Sequence, residues 1–240
     1  MHVERLGSGP RLVLVHGSVA PGWLTWNAQK PLAERFELVV PTRSGYPPNA
    51  ALEEIDFEAQ ADELTELLEP GDHLAAHSYG AVVSLLAAAR VRLASLTVVE
   101  PPAFDVARGH PAVEAFLAHF EAGAPQDPHA YLEFFLPLVG SSLNLRDPLP
   151  PAIEAGARAA IAERSPHEAA IPLDDLAAAP AFPKLVVSGG HSCAFDAVCD
   201  VLEHRLSARR AVLPGAGHSI PRLGEPFNAL LEAFIRETSA

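Results

Sequence analysis

A serine at the apex of a predicted strand, turn and helix is the residue best placed for covalent chemistry. An apolar run ends at Ala76, a tight turn from His77 to Gly80 contains Ser78, and a helix-forming run follows over Ala81–Arg90. In such a turn the hydroxyl is pushed out of the sheet, and the first amide of the helix points toward the group under attack. The pattern predicts that Ser78 is a nucleophile, which needs a general base within hydrogen-bond distance.

The turn resembles the nucleophile-elbow signature G-x-S-x-G of the α/β-hydrolase superfamily. It departs from the signature at one position, because Ala76 stands where the first glycine is usual. A small residue is needed there since the strand and helix backbones nearly touch, and alanine is the next smallest choice. The resemblance implies a serine hydrolase of the esterase type, with a catalytic triad in the chain order Ser, acid, His and a helical cap over the site.

The chain order of that triad selects one base among the 11 histidines of the sequence. In the fold that the resemblance implies, the catalytic histidine lies on a loop after the last strand. His218 is the histidine in such a place, within a G-A-G-H stretch whose glycines allow the loop to bend. His218 is therefore the predicted general base.

Two carboxylates compete for the role of the triad acid. The usual position follows the predicted strand Lys184–Val187, where Ser192 stands in place of the expected aspartate. Glu100 ends the preceding strand, and certain haloalkane dehalogenases resemble this chain by carrying their acid there. Asp196 lies four residues past the usual place, near the start of a helix, where an acidic side chain favours the dipole. We favour Glu100, at the carboxyl edge of the sheet, and keep Asp196 as the alternative acid.

Two backbone amides are predicted to form an oxyanion hole. One belongs to Tyr79, the residue after the nucleophile, and the other to Ser18, with Val19 as the alternative. Ser18 follows the first buried strand, and the H-G-S stretch there resembles the same loop in ester and carbon–carbon bond hydrolases. Each such donor typically stabilises the transition state by about 3 kcal/mol. His16 and His77 are expected to order these turns without taking part in the chemistry.

The elements that must position these residues predict an α/β fold with a mostly parallel central sheet flanked by helices. Short runs that are apolar on both faces indicate buried parallel strands. Besides a short strand within residues 1–10, the predicted strands are Arg11–Val15, Glu37–Val40, the elbow strand, Ser95–Val99, Lys184–Val187 and Arg209–Leu213. The predicted core helices are Asn27–Phe36, Phe57–Leu68, the elbow helix, Phe195–Leu206 and Pro226–Ile235.

The pattern changes between about Phe104 and Pro180, where no β-branched run occurs. The segments Pro111–Ala122, Pro128–Val139 and Pro151–Arg164 are predicted helices, with proline at the first turn, where its missing N–H costs nothing. We predict that residues 104–180 are a helical cap inserted into one α/β-hydrolase core, formed by residues 1–103 and 181–240. Seven apolar residues are candidates for a small pocket: Trp23, Trp26, Tyr46, Phe104, Phe134, Phe135 and Leu136.

Composition excludes several other classes of protein. The formal charge is -13 with no basic run, which argues against nucleic acid and anionic membranes as partners. No secretory signal and no apolar run of about 18 residues is visible, so we expect a cytoplasmic protein. The pair Cys193 and Cys199 does not have a zinc spacing, and His110, His119 and His129 are spread along separate helices. We expect no metal and no cofactor, and a homodimer stays open.

The predicted function is hydrolysis of a small carboxylic ester or related acyl compound through an acyl-enzyme intermediate. A haloalkane dehalogenase would need a carboxylate nucleophile where Ser78 stands. The sequence leaves three alternatives open. The same triad could cleave a carbon–carbon bond of a β-diketone-type substrate or open a lactone, and the chain could be a non-catalytic receptor that keeps the fold and a ligand pocket.

Overall fold

The computed structural model describes residues 1–141, 143–178 and 182–238. Within these ranges, seven strands form one sheet in the order β1-β3-β2-β4-β5-β6-β7. The strands are β1 (His2–Leu6), β2 (Arg11–Val15), β3 (Glu37–Thr42), β4 (His73–His77), β5 (Ser95–Val99), β6 (Lys184–Ser188) and β7 (Arg209–Val212). Strand β1 is antiparallel to β3, and every other pair is parallel. The predicted fold class is confirmed.

Helices cover both faces of the sheet, which explains why its central strands are apolar on both sides. The α-helices are α1 (Trp23–Trp26), α2 (Phe57–Leu67), α3 (Tyr79–Ala88), α4 (Pro111–Glu121), α5 (Pro128–Val139), α6 (Pro151–Ile161), α7 (Leu173–Ala178), α8 (Cys193–Leu206) and α9 (Glu225–Thr238). Four 3₁₀ helices span Asn27–Glu34, Phe104–Ala107, Pro166–Glu168 and Ile220–Leu223. Among the described residues, no helix is long and apolar enough to cross a membrane.

Several predicted helices differ from the observed ones in type or at their ends; the elbow helix, for example, begins at Tyr79 and ends at Ala88, and the closing helix continues to Thr238. The segment predicted as an α-helix over Asn27–Phe36 is a 3₁₀ helix, and it contains Pro31, which cannot donate a backbone hydrogen bond. Helix α8 begins at Cys193, two residues before the predicted start. Helix α6 ends at Ile161, before the predicted end at residue 164, because the chain after it leaves the helix to pair with Ile55.

The segment between β5 and β6 is helical, as predicted, and it packs over the carboxyl edge of the sheet. An apolar cluster joins α5 and α6 to Val19, in the loop after β2; its other buried members are Tyr131, Leu132, Leu136, Ala157 and Ala160. Backbone hydrogen bonds join Ile55 to Ala162 and Arg164. The cap stays an interpretation of this segment, and its predicted end at residues 180 and 181 lies outside the described residues.

Candidate active site

Ser78 lies between the end of β4 and the first residue of α3, at the sharpest turn of the sheet edge. Its backbone has a φ of 52°, a conformation that costs a non-glycine residue about 1–3 kcal/mol. Position 80 of this turn requires a glycine, because a Cβ on that residue would lie 2.3 Å from the carbonyl oxygen of His16. The chain is held in a conformation that directs the hydroxyl away from the sheet.

The structure brings three of the predicted residues into one hydrogen-bonded array. The Oγ of Ser78 lies 2.8 Å from Nε2 of His218, and Nδ1 of the same ring lies 3.0 Å from Oε2 of Glu100. The other carboxylate oxygen of Glu100 accepts a 2.6 Å hydrogen bond from the N–H of Gly189. Because Nδ1–H donates to the buried carboxylate, Nε2 is free to accept the serine proton.

The alternative acid, Asp196, is not part of this array. Its Oδ1 accepts a 2.5 Å hydrogen bond from Ser188 and lies 3.1 Å from a guanidinium nitrogen of Arg210. The space beside the Glu100 carboxylate is occupied instead by His191, whose Nδ1 is 3.8 Å from Oε1 of Glu100. The ring is anchored by its Nε2–H, which donates to the carbonyl of Val139 at the end of α5. Geometry therefore favours Glu100 over Asp196 as the acid.

The predicted oxyanion donors flank Ser78 from two sides. Tyr79 is the first residue of α3, so its N–H has no partner within the helix. On the other side the loop after β2 runs against the nucleophile: a Cβ on Gly17 would lie 2.7 Å from Cβ of Ser78. Ser18 lines the space in front of the hydroxyl, and Val19 follows with a positive φ of 71°. The roles of these amides stay predictions.

His16 and Arg43 fix the backbone of this loop. Nε2 of His16 accepts a 3.0 Å hydrogen bond from the N–H of Arg43, and its Nδ1–H donates to the carbonyl of Gly17 at 2.7 Å. The Arg43 guanidinium in turn donates to the carbonyls of His16 and Gly17, both at 3.0 Å. Burial and the nearby guanidinium lower the pKa of His16 well below its usual value. The neutral ring orders the loop, as the sequence indicated.

Glu163 is a buried carboxylate that the sequence did not identify, and it binds both Arg43 and the loop after β2. Its Oε1 accepts hydrogen bonds from Arg43 at 2.5 Å and from Tyr46 at 2.8 Å, and its Oε2 accepts one from Ser18 at 2.5 Å. The side chains of Arg43 and Glu163 are only 1% and 5% exposed. Glu163 follows α6 and lies 120 residues from Arg43 along the chain, so no local pattern could pair them.

His77 holds the loop that carries the proposed base. Its Nε2–H donates a 2.7 Å hydrogen bond to the carbonyl of His218, while its buried Nδ1 has no hydrogen-bond partner. Burial lowers the pKa of His77 to about 3, so the ring is neutral near pH 7. The hydrogen bond is to the backbone of His218, and the two rings pack with their centroids 4.9 Å apart. Both nitrogens of the His218 ring stay available to Ser78 and Glu100, which agrees with the expected structural role of His77.

Two cavities meet at Ser78. The first, here called the aromatic cavity, has an empty volume of about 560 Å³, part of it open to solvent; its aromatic lining residues are Tyr79, Phe104, Phe116, Phe120, Tyr131, Phe135 and Phe195. The second, here called the histidine-side cavity, has an empty volume of about 520 Å³, also partly open to solvent; its polar lining residues are Ser18, Thr25, His77, Ser78, Ser141, His218, Ser219 and Arg222. The aromatic cavity is lined mainly by apolar side chains, whereas the histidine-side cavity has polar side chains around His218.

The structure divides the seven apolar residues predicted to line a pocket. Phe104 and Phe135 line the aromatic cavity, and Phe135 and Leu136 line the histidine-side cavity. The remaining four do not line either cavity: Trp26 is buried against Phe227, Trp23 lies in a separate surface groove, Tyr46 binds Glu163, and Phe134 stacks on His119. Their aromatic character alone did not reveal whether they pack in the core or face the site.

One group of side chains in the described part of the chain has the spacing of a metal site. Glu100, His191 and His218 each offer a ligand atom, all within 4.8 Å of one another. Nδ1 of His218 is already used by Glu100, and Nε2 of His191 by a backbone carbonyl. A cation there would have to displace the hydrogen bond that orients His218, so the donor set fits the hydrogen-bonded array better than a resident metal.

The sequence pattern of a known family covers nearly the whole chain. The Alpha/beta hydrolase family pattern matches residues 12–233. The chain belongs to the alpha/beta hydrolase family. The match includes the strands that carry Ser78, Glu100 and the loop of His218. No curated protein is similar enough in sequence to count as a match.

Solved structures similar to this alpha/beta hydrolase include an esterase from Thermogutta terrifontis, with 22% identity, a TM-score of 0.72, and coverage of 100% of this chain and 94% of that chain. An alpha/beta hydrolase from Sphaerobacter thermophilus has 25% identity and a TM-score of 0.63, and the match covers 97% of this chain and 95% of that chain. Est816, described as an N-acyl homoserine lactone degrading enzyme, has 20% identity and a TM-score of 0.69, and the match covers 97% of this chain and 96% of that chain. These likenesses support the fold.

Proposed function

We propose that this alpha/beta hydrolase cleaves a small carboxylic ester or related acyl compound through an acyl-enzyme on Ser78. The observation that carries the proposal is the array of Ser78, His218 and Glu100, with contacts of 2.8 Å and 3.0 Å. The hydroxyl faces a cavity whose lining is mostly apolar and aromatic, which suits an acyl group. A hydroxyl, an imidazole and a buried carboxylate in this order make up the machinery of acyl transfer.

Each residue of the array has one role in the proposed reaction. Ser78 Oγ attacks the carbonyl carbon while Nε2 of His218 takes its proton, and the amides of Tyr79 and Ser18 stabilise the oxyanion. His218 then gives the proton to the leaving alkoxide, which departs and leaves the acyl group on Ser78. Water attacks the acyl-enzyme with His218 again as the base, and the acid is released. Glu100 keeps the imidazole in the required tautomer and stabilises its cation.

Opening of a lactone follows the same steps, because a lactone is an internal ester whose leaving alkoxide stays attached to the acyl group. The structural likeness to Est816, whose description names a lactone as substrate, favours including lactones in a substrate screen. The likeness to the Thermogutta terrifontis esterase favours simple esters. Both belong to the same proposed chemistry on Ser78.

The proposal is tested by labelling with a fluorophosphonate probe and by hydrolysis of p-nitrophenyl acetate. We expect the wild-type protein to be labelled and to turn over the ester, and Ser78→Ala to lose the label and at least 10³-fold of kcat. Ser84→Ala is the matched control, because Ser84 is a buried serine of α3 whose hydroxyl has no hydrogen-bond partner. A wild-type protein that is neither labelled nor active would indicate a non-catalytic receptor.

A further inference from the structure

An arginine that has no role in the array lines the histidine-side cavity. Arg222, in the 3₁₀ helix after His218, lines this cavity together with Ser78 and His218. The aromatic cavity is lined by Ser78 but not by His218. The two substituents of a carbonyl group held at Ser78 would therefore meet different surroundings. One would lie in the aromatic cavity, and the other in the cavity that Arg222 and His218 line.

Arg222, which is exposed, lacks the counter-charge that two less exposed arginines have. Arg43 is paired with Glu163, and Arg210 with Asp196, whereas no carboxylate in the described part of the chain lies within 4.0 Å of Arg222. Partial burial of its side chain lowers its pKa, and its charge in turn contributes to the lowered pKa of His77. Glu4 shares a separate surface groove with Arg222 but is beyond ion-pair distance.

Arg222 is exposed at this cavity and has no counter-charge, so its guanidinium is available to a ligand. Its five N–H donors match a carboxylate or phosphate, which makes it a suitable site for an anion. A second arginine, Arg146, lines an adjoining cavity with Arg222 and Leu143, and it too has no ion-pair partner among the described residues. Both arginines are exposed, and they place positive charge beside the histidine-side cavity in a chain whose formal charge is -13.

We infer that the histidine-side cavity is a subsite for an anionic leaving group, with Arg222 as the residue that binds the anion. The assignment of the leaving group to this cavity, and not to the aromatic one, follows from the proposed mechanism, on which this inference rests. His218 gives its proton to the leaving alkoxide, so the leaving group must depart on the side that His218 lines. The substrate class is an ester with an apolar acyl group for the aromatic cavity and a carboxylate or phosphate on its alcohol portion.

The test compares two butyrate esters of nearly the same shape, the anionic 4-carboxyphenyl butyrate and its neutral analogue 4-carbamoylphenyl butyrate, whose phenol is the slightly better leaving group. We expect the wild-type protein to prefer the anionic ester in kcat/KM by about tenfold or more, mainly through a lower KM. Arg222→Gln should reduce the ratio of the two kcat/KM values at least tenfold, and Arg222→Lys, which keeps the charge, should restore part of it. Arg146→Gln should reduce the ratio by a smaller factor.

The matched control is Arg92→Gln, because Arg92 is exposed at the opposite edge of the sheet, before β5. It should leave the ratio unchanged. A wild-type protein that shows no preference for the anionic ester, or an Arg222→Gln protein with the wild-type ratio, would overturn the subsite. Preference for a carboxylate on the acyl portion, measured with mono-p-nitrophenyl succinate against p-nitrophenyl butyrate, would overturn its direction.

A binding measurement separates failure of the subsite from failure of the proposed function. Calorimetry on Ser78→Ala protein compares the affinities of the same two butyrate esters without turnover. Tighter binding of the anionic ester, lost in the double variant with Arg222→Gln, supports the subsite even if the wild-type protein hydrolyses neither ester. Equal affinity for the two esters contradicts the subsite, and fluorophosphonate labelling reports separately on Ser78.

Discussion

At the scale of single residues, the choice of acid for the proposed triad depends on burial and hydrogen bonds that the sequence does not display. Glu100 and Asp196 both follow strands at the same edge of the sheet. Glu100 is fully buried between His218 and the N–H of Gly189, whereas Asp196 pairs with Arg210. The ends of the strands could be predicted from apolar runs. Which of the two carboxylates contacts His218 could not, because that depends on the hydrogen bonds and ion pairs that each one forms in the folded protein.

We expect Glu100→Gln to lower kcat on p-nitrophenyl acetate by about 10³–10⁴-fold, because an amide can stabilise the wrong imidazole tautomer and cannot stabilise its cation. Asp196→Asn should change kcat less than threefold, although it weakens the contact with Arg210 and so should lower the Tm. Steady-state kinetics and thermal melting of both variants check this. A large loss of kcat in Asp196→Asn with a small loss in Glu100→Gln would reassign the acid.

At the scale of elements, the loop after β2 is held from two sides, by β3 and by the end of α6. Arg43 follows β3 and Glu163 follows α6, and both bind the loop that contains Ser18. Secondary structure could be predicted for both elements from apolar spacing and from proline at helix starts. Their contact could not, because it depends on how the helices between β5 and β6 pack over the sheet.

We expect Glu163→Gln to lower the free energy of unfolding by about 3 kcal/mol, because it leaves the buried Arg43 guanidinium without its counter-charge. If the contact also positions Ser18, kcat should fall by about tenfold or more while KM changes less. Denaturant unfolding and kinetics measure the two effects. Glu154→Gln is the control, because Glu154 forms an exposed ion pair on the same helix, and such pairs contribute about 0–1 kcal/mol. Equal effects of the two variants would contradict the role of Glu163.

At the scale of the whole molecule, the parallel sheet brings together residues that are far apart in sequence. Ser78 follows β4, Glu100 follows β5 and His218 follows β7, and 140 positions separate the serine from the histidine. This convergence could be predicted, because the carboxyl ends of parallel strands share one edge. The division of the site into an aromatic cavity and a histidine-side cavity could not, since it arises from side chains of several packed helices.

Buried neutral histidines make the stability of the whole molecule depend on pH. The pKa of His77 is lowered to about 3, whereas an unfolded histidine titrates near 6.5. Below about pH 6.5 the unfolded chain therefore binds a proton that the native protein does not, and this group destabilises the fold by up to about 1.4 kcal/mol per pH unit until about pH 3.

We therefore expect the free energy of unfolding to fall less steeply between about pH 6 and pH 4 in His77→Gln than in the wild-type protein. Urea unfolding at several pH values measures this slope. His204→Gln, at an exposed histidine of α8, should keep the wild-type slope. The same slope in His77→Gln as in the wild-type protein would contradict a lowered pKa for His77.

The claim on which the functional account depends is that Ser78 is the nucleophile and His218 its base. Peptide mapping by mass spectrometry after reaction with a fluorophosphonate tests it most directly. The account predicts a single adduct on the peptide that contains Ser78, formed much more slowly in His218→Gln. An adduct on a different residue, or unreacted Ser78 in a protein that hydrolyses esters, would contradict it.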